Sequence, residues 1–160
     1  MTETRIIVVA AAKGGVGKTT LAYELAAALG AVLVDLDWDA GGATRMWGFD
    51  PTTAVRAPLL DALERGPDVR PPRPKRRPNQ PALVPSHPDL SATTVDPELV
   101  ADCLQAWGAQ WDTRFVVVDT HPGANPLPDG ALPVSYTHLT LPTIEGEGGW
   151  GGGGGGGGGG

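Results

Sequence analysis

Three stretches of the chain are continuously apolar instead of alternating between apolar and polar positions: Arg5 to Ala11, Val32 to Leu36 and Phe115 to Val118. A β-strand that is buried on both faces has this pattern, and such strands are typical of parallel sheets covered by helices. The shorter stretch from Pro81 to Pro85 is a weaker candidate for a further strand. The pattern therefore predicts an α/β fold.

A helix is predicted between the first two strands. Leu21, Leu25 and Leu29 recur every four residues, and Gly30 follows them, as glycine often does at the end of a helix. We therefore expect a helix over about residues 18–29. Strand, helix and strand together form a right-handed crossover, so the two strands are parallel and their carboxyl ends share the edge at which such folds bind ligands.

Two more helices and one loop follow. Residues 56–65 predict a short helix, and residues 96–108 predict a longer one that begins with Asp-Pro-Glu, a capping residue followed by proline at the first helical position. Between them, residues 67–81 are rich in proline and arginine, which continue neither helix nor strand, so a surface loop is predicted.

The turn between the first strand and the first helix is rich in glycine. Residues 12–20 read Ala-Lys-Gly-Gly-Val-Gly-Lys-Thr-Thr. Gly14, Gly15 and Gly17 allow the backbone to curl with its N–H groups pointing inward, and the helix adds the positive end of its dipole at the same place. This strand–turn–helix context is typical of a loop that binds the phosphates of a nucleotide.

Two lysines and a threonine accompany this loop. Lys18 supplies an ammonium group for the β- and γ-phosphates, and the hydroxyl of Thr19 suits Mg²⁺. The usual phosphate-loop pattern has glycine where this chain has Ala12, and a second lysine, Lys13, follows directly. The extra lysine is the most informative departure from a general nucleotide-binding loop.

Carboxylates follow two of the predicted strands. Asp35 and Asp37 end the second strand, and Asp119 ends the strand that begins at Phe115. Both strands deliver these side chains to the sheet edge where the phosphates would lie. Mg²⁺ that bridges phosphate oxygens prefers oxygen ligands and keeps several waters, so Asp119 is the leading candidate for the metal shell.

Four motifs together resemble the ParA/MinD family of partition ATPases, also called deviant Walker A ATPases. The resemblance covers nearly all of residues 5 to 133. Lys-Gly-Gly-Val-Gly-Lys-Thr-Thr (13–20) is like the family's deviant motif, and Asp-Leu-Asp (35–37) with Gly-Gly-Ala-Thr (41–44) is like its second motif. Residues 83–90 are similar to its third strand and loop, and residues 116–123 resemble its Walker B region.

The resemblance implies an ATP-dependent switch, in which two subunits enclose two ATP molecules with Mg²⁺ and hydrolyse them. Lys13 would reach the phosphates held by the other subunit, Asp37 would orient the attacking water, and both would be catalytic. Thr19, Asp35 and Asp119 would hold or support the metal. The ATP-binding residues would be Lys13, Gly14, Gly15, Val16, Gly17, Lys18, Thr19 and Thr20.

The resemblance also implies partners. We expect a homodimer on ATP binding, a centromere-binding partner protein, and non-specific DNA bound through a part of the protein beyond residue 133. The favoured function is plasmid or chromosome partition. The alternatives are a MinD-like positioning ATPase, a metabolic kinase or ligase that passes the γ-phosphate to a small molecule, and a module that binds nucleotide without turnover.

Two departures from the family pattern concern the predicted site. Residues 38–42, Trp-Asp-Ala-Gly-Gly, are one residue longer than the corresponding segment of many members, and His121 stands where proline is frequent. Contacts made by that segment in the family are therefore not transferred to this chain. Trp38 itself is expected to be a packing residue.

The C-terminal residues are interpreted separately. Residues 134–143, VSYTHLTLPT, resemble one reading frame of a transposon-end sequencing adapter, and residues 151–160 are all glycine, as in translated poly-G. We therefore expect residues 134–160 to be a non-native, disordered tail. Residues 1–133 would be one ATPase domain without its C-terminal part.

Composition limits the remaining options. The chain has 160 residues, a net charge of −6 and one cysteine, Cys103, which excludes an intrachain disulfide. No stretch approaches the roughly 20 apolar residues of a membrane span, so we expect no membrane contact and a location in the cytoplasm or on the nucleoid.

Five positive charges between Arg70 and Arg77 suit either a solubilising loop or contact with phosphates, and no aromatic residue interrupts them.

Overall fold

Five strands form one sheet in the computed structural model, which describes residues 3–11, 17–38, 42–53, 58–92, 96–121 and 136–141. Every strand pair in this described part is parallel, and the strand order is β3-β2-β4-β1-β5. The predicted α/β fold and its first four strands are confirmed. The strands are β1 Arg5–Ala11, β2 Val32–Asp35, β3 Ala82–Val84, β4 Phe115–Asp119 and β5 Tyr136–Leu141.

Helices cover both faces of this sheet. The two longer helices lie where the leucine spacing and the capping signal predict them. Short α2, by contrast, has no periodic pattern of its own. The helices are α1 Lys18–Leu29, α2 Ala43–Met46, α3 Pro58–Arg65 and α4 Pro97–Gln110, with 3-10 turns at Pro51–Thr53 and Pro88–Ala92.

The ends of the longer helices follow from their terminal residues. Gly17 before α1 has a φ of 84° and Gly30 after it has a φ of 62°, a region that residues with a side chain rarely adopt. The carboxylate of Asp96 accepts a hydrogen bond of 2.9 Å from the backbone N–H of Glu98 at the start of α4. Local sequence therefore fixes where both helices begin or end.

The core consists of two apolar layers, one on each face of the sheet. Val9, Leu33 and Val117 face α1, whose Ala22 and Ala26 are fully buried against them. On the other face, strand residues pack against α3 and α4. The largest buried side chains of that layer are Ile6, Leu59, Leu63, Leu104 and Trp107.

The strand register aligns the carboxylates at one edge. Asp35 of β2 lies opposite Asp119 of β4, and Asp119 lies opposite Val9 of β1. The chain that leaves β1 returns as α1, so the N-terminus of this helix lies at the same edge. The expectation that both strands deliver carboxylates to one edge of the sheet is confirmed, and α1 begins at that edge.

The expectation of disorder throughout residues 134–160 is wrong for residues 136–141. These residues form β5, which pairs in parallel with β1 over six positions from Ile6 to Ala11. The segment contains tyrosine, threonine and leucine, which suit a pleated strand, and β1 offers it unpaired backbone groups. The remaining residues of this range lie outside the described residues, and its non-native origin stays a hypothesis.

Residues 67–81 contain no helix and no strand, as expected, but the segment is attached to the sheet. Lys75 and Leu83 exchange two backbone hydrogen bonds, of 2.7 and 2.9 Å, as an isolated antiparallel bridge. The proline-rich segment therefore lies along the outer side of β3, the edge strand of the sheet.

Candidate functional site

Lys18 lies in the first turn of α1 with its ammonium group enclosed by acceptors. Its Nζ lies 2.5 Å from Oδ1 of Asp119 and 3.5 Å from Oδ2 of Asp37, and it also donates a hydrogen bond to the carbonyl of Thr120. Only 5% of Lys18 is exposed. A buried ammonium group needs such partners, because burying an unpaired charge is very unfavourable.

Thr19 contacts the same carboxylate from the next position of the helix. Its hydroxyl lies 3.0 Å from Oδ2 of Asp119, while Oδ1 of that carboxylate is on Lys18. Asp119 thus joins the end of β4 to the first turn of α1 through two side chains. These contacts bring together the lysine, the threonine and the carboxylate that the sequence predicts for phosphate and metal.

Asp35 holds the segment that follows β2 through both of its carboxylate oxygens. Its Oδ1 accepts from the backbone N–H of Asp37 at 2.9 Å, and its Oδ2 accepts from both the N–H and the hydroxyl of Thr44 at 2.8 and 2.6 Å. The Thr44 hydroxyl also accepts from the N–H of Ser86 after β3 at 2.9 Å. This network fixes the position of Asp37 relative to the sheet.

The buried carboxylates have perturbed acidity. Burial raises the pKa of Asp35 to about 7, and the negative charge of nearby Asp119 acts in the same direction. Burial also raises the pKa of Asp119, although its contacts with Lys18 and Thr19 oppose that shift. Two fully buried carboxylates thus lie next to each other at the site, and Lys18 compensates Asp119 directly.

An aromatic pair lies just beyond the ends of β2 and β4. The rings of Trp38 and His121 are parallel within 4°, with their centroids 3.9 Å apart. Trp38 follows β2 and His121 follows β4, so the stack joins the segments that leave the two acidic strands. From the sequence, Trp38 is expected only to pack and His121 is a departure from the family pattern, so their contact is not predicted.

The remaining predicted residues fall into two groups. Gly17 and Thr20 flank Lys18 and Thr19 at the N-terminus of α1, where no side chain caps the helix. Its positive end is therefore suited to an anion. The other predicted residues, Lys13, Gly14, Gly15 and Val16, lie outside the described residues.

The donor set suits a hard cation bound together with phosphate. The Thr19 hydroxyl and the Asp119 carboxylate offer oxygen only, which is the donor type that Mg²⁺ prefers. Among the described residues, no three histidine, cysteine or acidic side chains form a metal cluster. Both oxygens of Asp35 are bonded within the chain, so a role of Asp35 through ordered water stays a prediction.

Thr44 and Ser86 are site residues that sequence reasoning missed. Thr44 belongs to the Gly-Gly-Ala-Thr sequence that resembles the family's second motif, and this was the available signal, although no role followed from it. Ser86 lies within residues 83–90, which resemble the family's third strand and loop, but its position beside Thr44 depends on the pairing of β3 with β2. The hydroxyl of Ser86 is buried without a hydrogen-bond partner among the described residues.

A family model described as an AAA domain matches residues 4–141, which is most of the chain. The chain belongs to this AAA domain family. The match confirms the resemblance to ParA/MinD-type ATPases that the motifs indicated, and the parallel sheet agrees with it. No curated protein matches the chain closely enough to count as a relative.

Solved structures similar to this AAA domain include two of cobyrinic acid a,c-diamide synthase from Mycobacterium smegmatis. The one with bound ATP analog and magnesium is 28% identical, with a TM-score of 0.62, and covers 77% of this chain and 52% of that chain. The one with bound ADP and magnesium is 29% identical, with a TM-score of 0.61, and covers 77% and 53%.

A plasmid partition protein from Borrelia burgdorferi shares the fold. It is 24% identical, with a TM-score of 0.55, and the match covers 76% of this chain and 57% of that chain. The AAA domain chain therefore spans about half the length of the solved structures it resembles. In its described part, none of the helices combines the length and the apolar character needed to cross a bilayer.

The buried Asp35 gives a testable pH dependence. Its pKa is about 7 in the folded chain and near 3.8 when unfolded, so the folded state holds a proton that the unfolded state releases between these values. Stability from this group is therefore present at low pH and falls as the pH rises towards 7. From pH 5 to pH 8 we expect a loss of up to about 3 kcal/mol in the free energy of unfolding.

Urea denaturation of the chain and of Asp35→Asn at both pH values measures this contribution. Asparagine does not titrate, so the variant should lose much less stability between pH 5 and pH 8 than the native chain does. Equal losses in both proteins would show that another group causes the pH dependence.

Proposed function

We propose that this chain is the nucleotide-binding part of a ParA-like ATPase that binds and hydrolyses ATP with Mg²⁺ and acts in plasmid or chromosome partition through an ATP-dependent dimer. One observation carries the proposal: Lys18 and Thr19, directly after Gly17, converge on Asp119 at the carboxyl edge of a parallel sheet. The ATP analog and magnesium in the cobyrinic acid a,c-diamide synthase structure support the choice of ligand.

ATP binding would require Lys18 to change partners. Its charge is compensated by Asp119, and its Nζ lies 3.5 Å from Oδ2 of Asp37. When Lys18 turns to the β- and γ-phosphates, both carboxylates lose this compensation while the phosphates add negative charge. A divalent cation near Thr19 and Asp119 would restore the balance, and it would polarise the phosphate oxygens when bound.

Hydrolysis would depend on two further residues. Oδ2 of Asp37 lies 3.5 Å from Nζ of Lys18, and the backbone N–H of Asp37 is held by Asp35, which supports a role of the Asp37 carboxylate in orienting an attacking water. Lys13 would come from the second subunit and add positive charge against the developing charge of the transition state. Turnover would then occur only when the dimer closes.

The proposed partners follow from the partition role. A centromere-binding protein would be the partner, and non-specific DNA would be held by a part of the protein beyond residue 133. The likeness to the Borrelia partition protein supports the fold for such a role. A MinD-like positioning role would instead require an amphipathic membrane-binding helix.

A metabolic ligase is the second candidate, because the two similar structures at 28% and 29% identity are of cobyrinic acid a,c-diamide synthase. Such an enzyme would activate a carboxylic acid with ATP before amide formation. Steady-state ATPase assays distinguish the two functions. Stimulation by DNA supports the partition role, whereas stimulation by a small carboxylic acid with no response to DNA supports a ligase.

Removal of the Lys18 ammonium tests the proposed phosphate contact. We expect Lys18→Ala to weaken ATP binding by at least about a hundredfold, because a charge-assisted contact of this kind contributes roughly 3 kcal/mol. Calorimetric titration with a nonhydrolysable ATP analogue measures the affinity. Arg114→Ala removes an exposed charge just before β4, at the opposite end of that strand from Asp119, and this control variant should bind normally. Unchanged affinity in Lys18→Ala would contradict the assignment.

Lys13 separates the dimer model from a simple nucleotide-binding loop. We expect Lys13→Ala to retain most of its ATP affinity but to stay monomeric with ATP, because its positive charge acts on the phosphates of the other subunit. Sedimentation velocity with the ATP analogue measures the association state. An ATP-dependent dimer of normal stability in Lys13→Ala would refute the role given to this lysine.

A further inference from the structure

A basic groove with aromatic walls lies beside β3, apart from the nucleotide site. We define the basic groove by its lining residues, and its volume is about 860 Å³. The sequence shows its cations in one run, but its aromatic residues come from other parts of the chain. The lining residues are Trp47, Phe49, Arg73, Pro74, Lys75, Arg76, Arg77 and Trp111.

The groove is held in place by hydrogen bonds along its length. Lys75 is paired with Leu83 through two backbone hydrogen bonds. The indole N–H of Trp111 donates to the carbonyl of Pro72 at 3.0 Å, and that of Trp47 donates to the carbonyl of Pro81 at 2.8 Å. Prolines further restrict this segment, so little conformational entropy remains to be lost when a ligand binds.

The positive charges of the groove have no acidic partner within the part of the chain that the structure describes. Among the described residues, no ion pair involves Arg73, Lys75, Arg76 or Arg77. Arg73 and Arg76 are exposed, and the chain as a whole has a net charge of −6. The groove is therefore a local site for carboxylates or phosphates on an acidic protein, and guanidinium groups bind both as planar forks.

The aromatic rings of the groove help to decide between a nucleic acid, which carries phosphates, and a peptide, which carries carboxylates. Arg77 covers the ring of Trp47 at 4.2 Å, and Lys75 covers the ring of Phe49 at 4.3 Å. Nucleic-acid bases need free ring faces for stacking, and cations cover two of the three aromatic rings that line the groove, which leaves only Trp111 for a ligand. The groove is also a single recess, whereas a DNA-binding module needs a surface of about 600–1,000 Å² on a basic domain. Both points favour a peptide.

We propose that the basic groove binds a short acidic segment of a partner protein, with aspartate or glutamate side chains on Arg73 and Arg76 and interspersed apolar side chains against Pro74 and Trp111. The apolar wall surface distinguishes such a ligand from a bare phosphate chain. Recognition of acidic motifs by clustered arginines has the same physical basis. The inference does not depend on the proposed ATPase function.

Fluorescence anisotropy with the whole chain tests this inference. The probe is a short labelled peptide of glutamate interspersed with leucine, and single-stranded and duplex DNA of matched length are the competing ligands. The test variant is Arg73→Gln/Arg76→Gln, which leaves the arginine and lysine that cover the aromatic rings unchanged. The matched control is Arg65→Gln/Arg114→Gln, which removes two exposed charges outside the groove.

We expect the peptide to bind the native chain and the control alike, and to bind the test variant at least about tenfold more weakly, because two charge-assisted contacts are lost. A peptide with glutamine in place of glutamate should not bind the native chain, and this arm stays decisive if the test variant fails to fold. Tighter binding of either DNA, equal binding of both peptides, or no loss in the test variant would each overturn the inference.

Discussion

The contact between Lys18 and Asp119 is the interaction on which the site depends. It is buried, it joins the first turn of α1 to the end of β4, and it compensates a carboxylate that would otherwise be fully buried without a counter-charge. A buried charge pair of this kind adds little net stability, but loss of one partner is strongly destabilising. Under the proposed function, a phosphate that binds Lys18 would therefore have to bring a cation to compensate Asp119.

The parallel sheet positions the carboxylates and the segments that surround Lys18. The register places Asp35 opposite Asp119, and the bonds from Asp35 to Thr44 and Asp37 hold the segment after β2 against the sheet. The stack of Trp38 on His121 then joins that segment to the one after β4. The two segments that would meet the γ-phosphate are thus linked to each other as well as to the core.

Helix ends and buried strands were predictable from the sequence, because they depend on residues that are close together along the chain. Gly17, Gly30 and Asp96 mark helix ends because their conformations or side chains act within one turn, and the apolar strands β1, β2 and β4 were visible as continuous runs. The parts that were missed depend on contacts between distant segments. The Trp38–His121 stack, the Thr44 network, strand β5 and the aromatic walls of the basic groove all require the folded sheet.

Dependence of ATP binding on magnesium tests the central claim most directly. Calorimetric titration of the chain with the ATP analogue, in excess Mg²⁺ and in excess chelator, compares the native protein with Asp119→Asn. Because the uncompensated Asp119 opposes the phosphates, the native chain should bind far more weakly without Mg²⁺, and the variant should show a much smaller difference. Equal affinity of the native chain with and without Mg²⁺ would contradict the account.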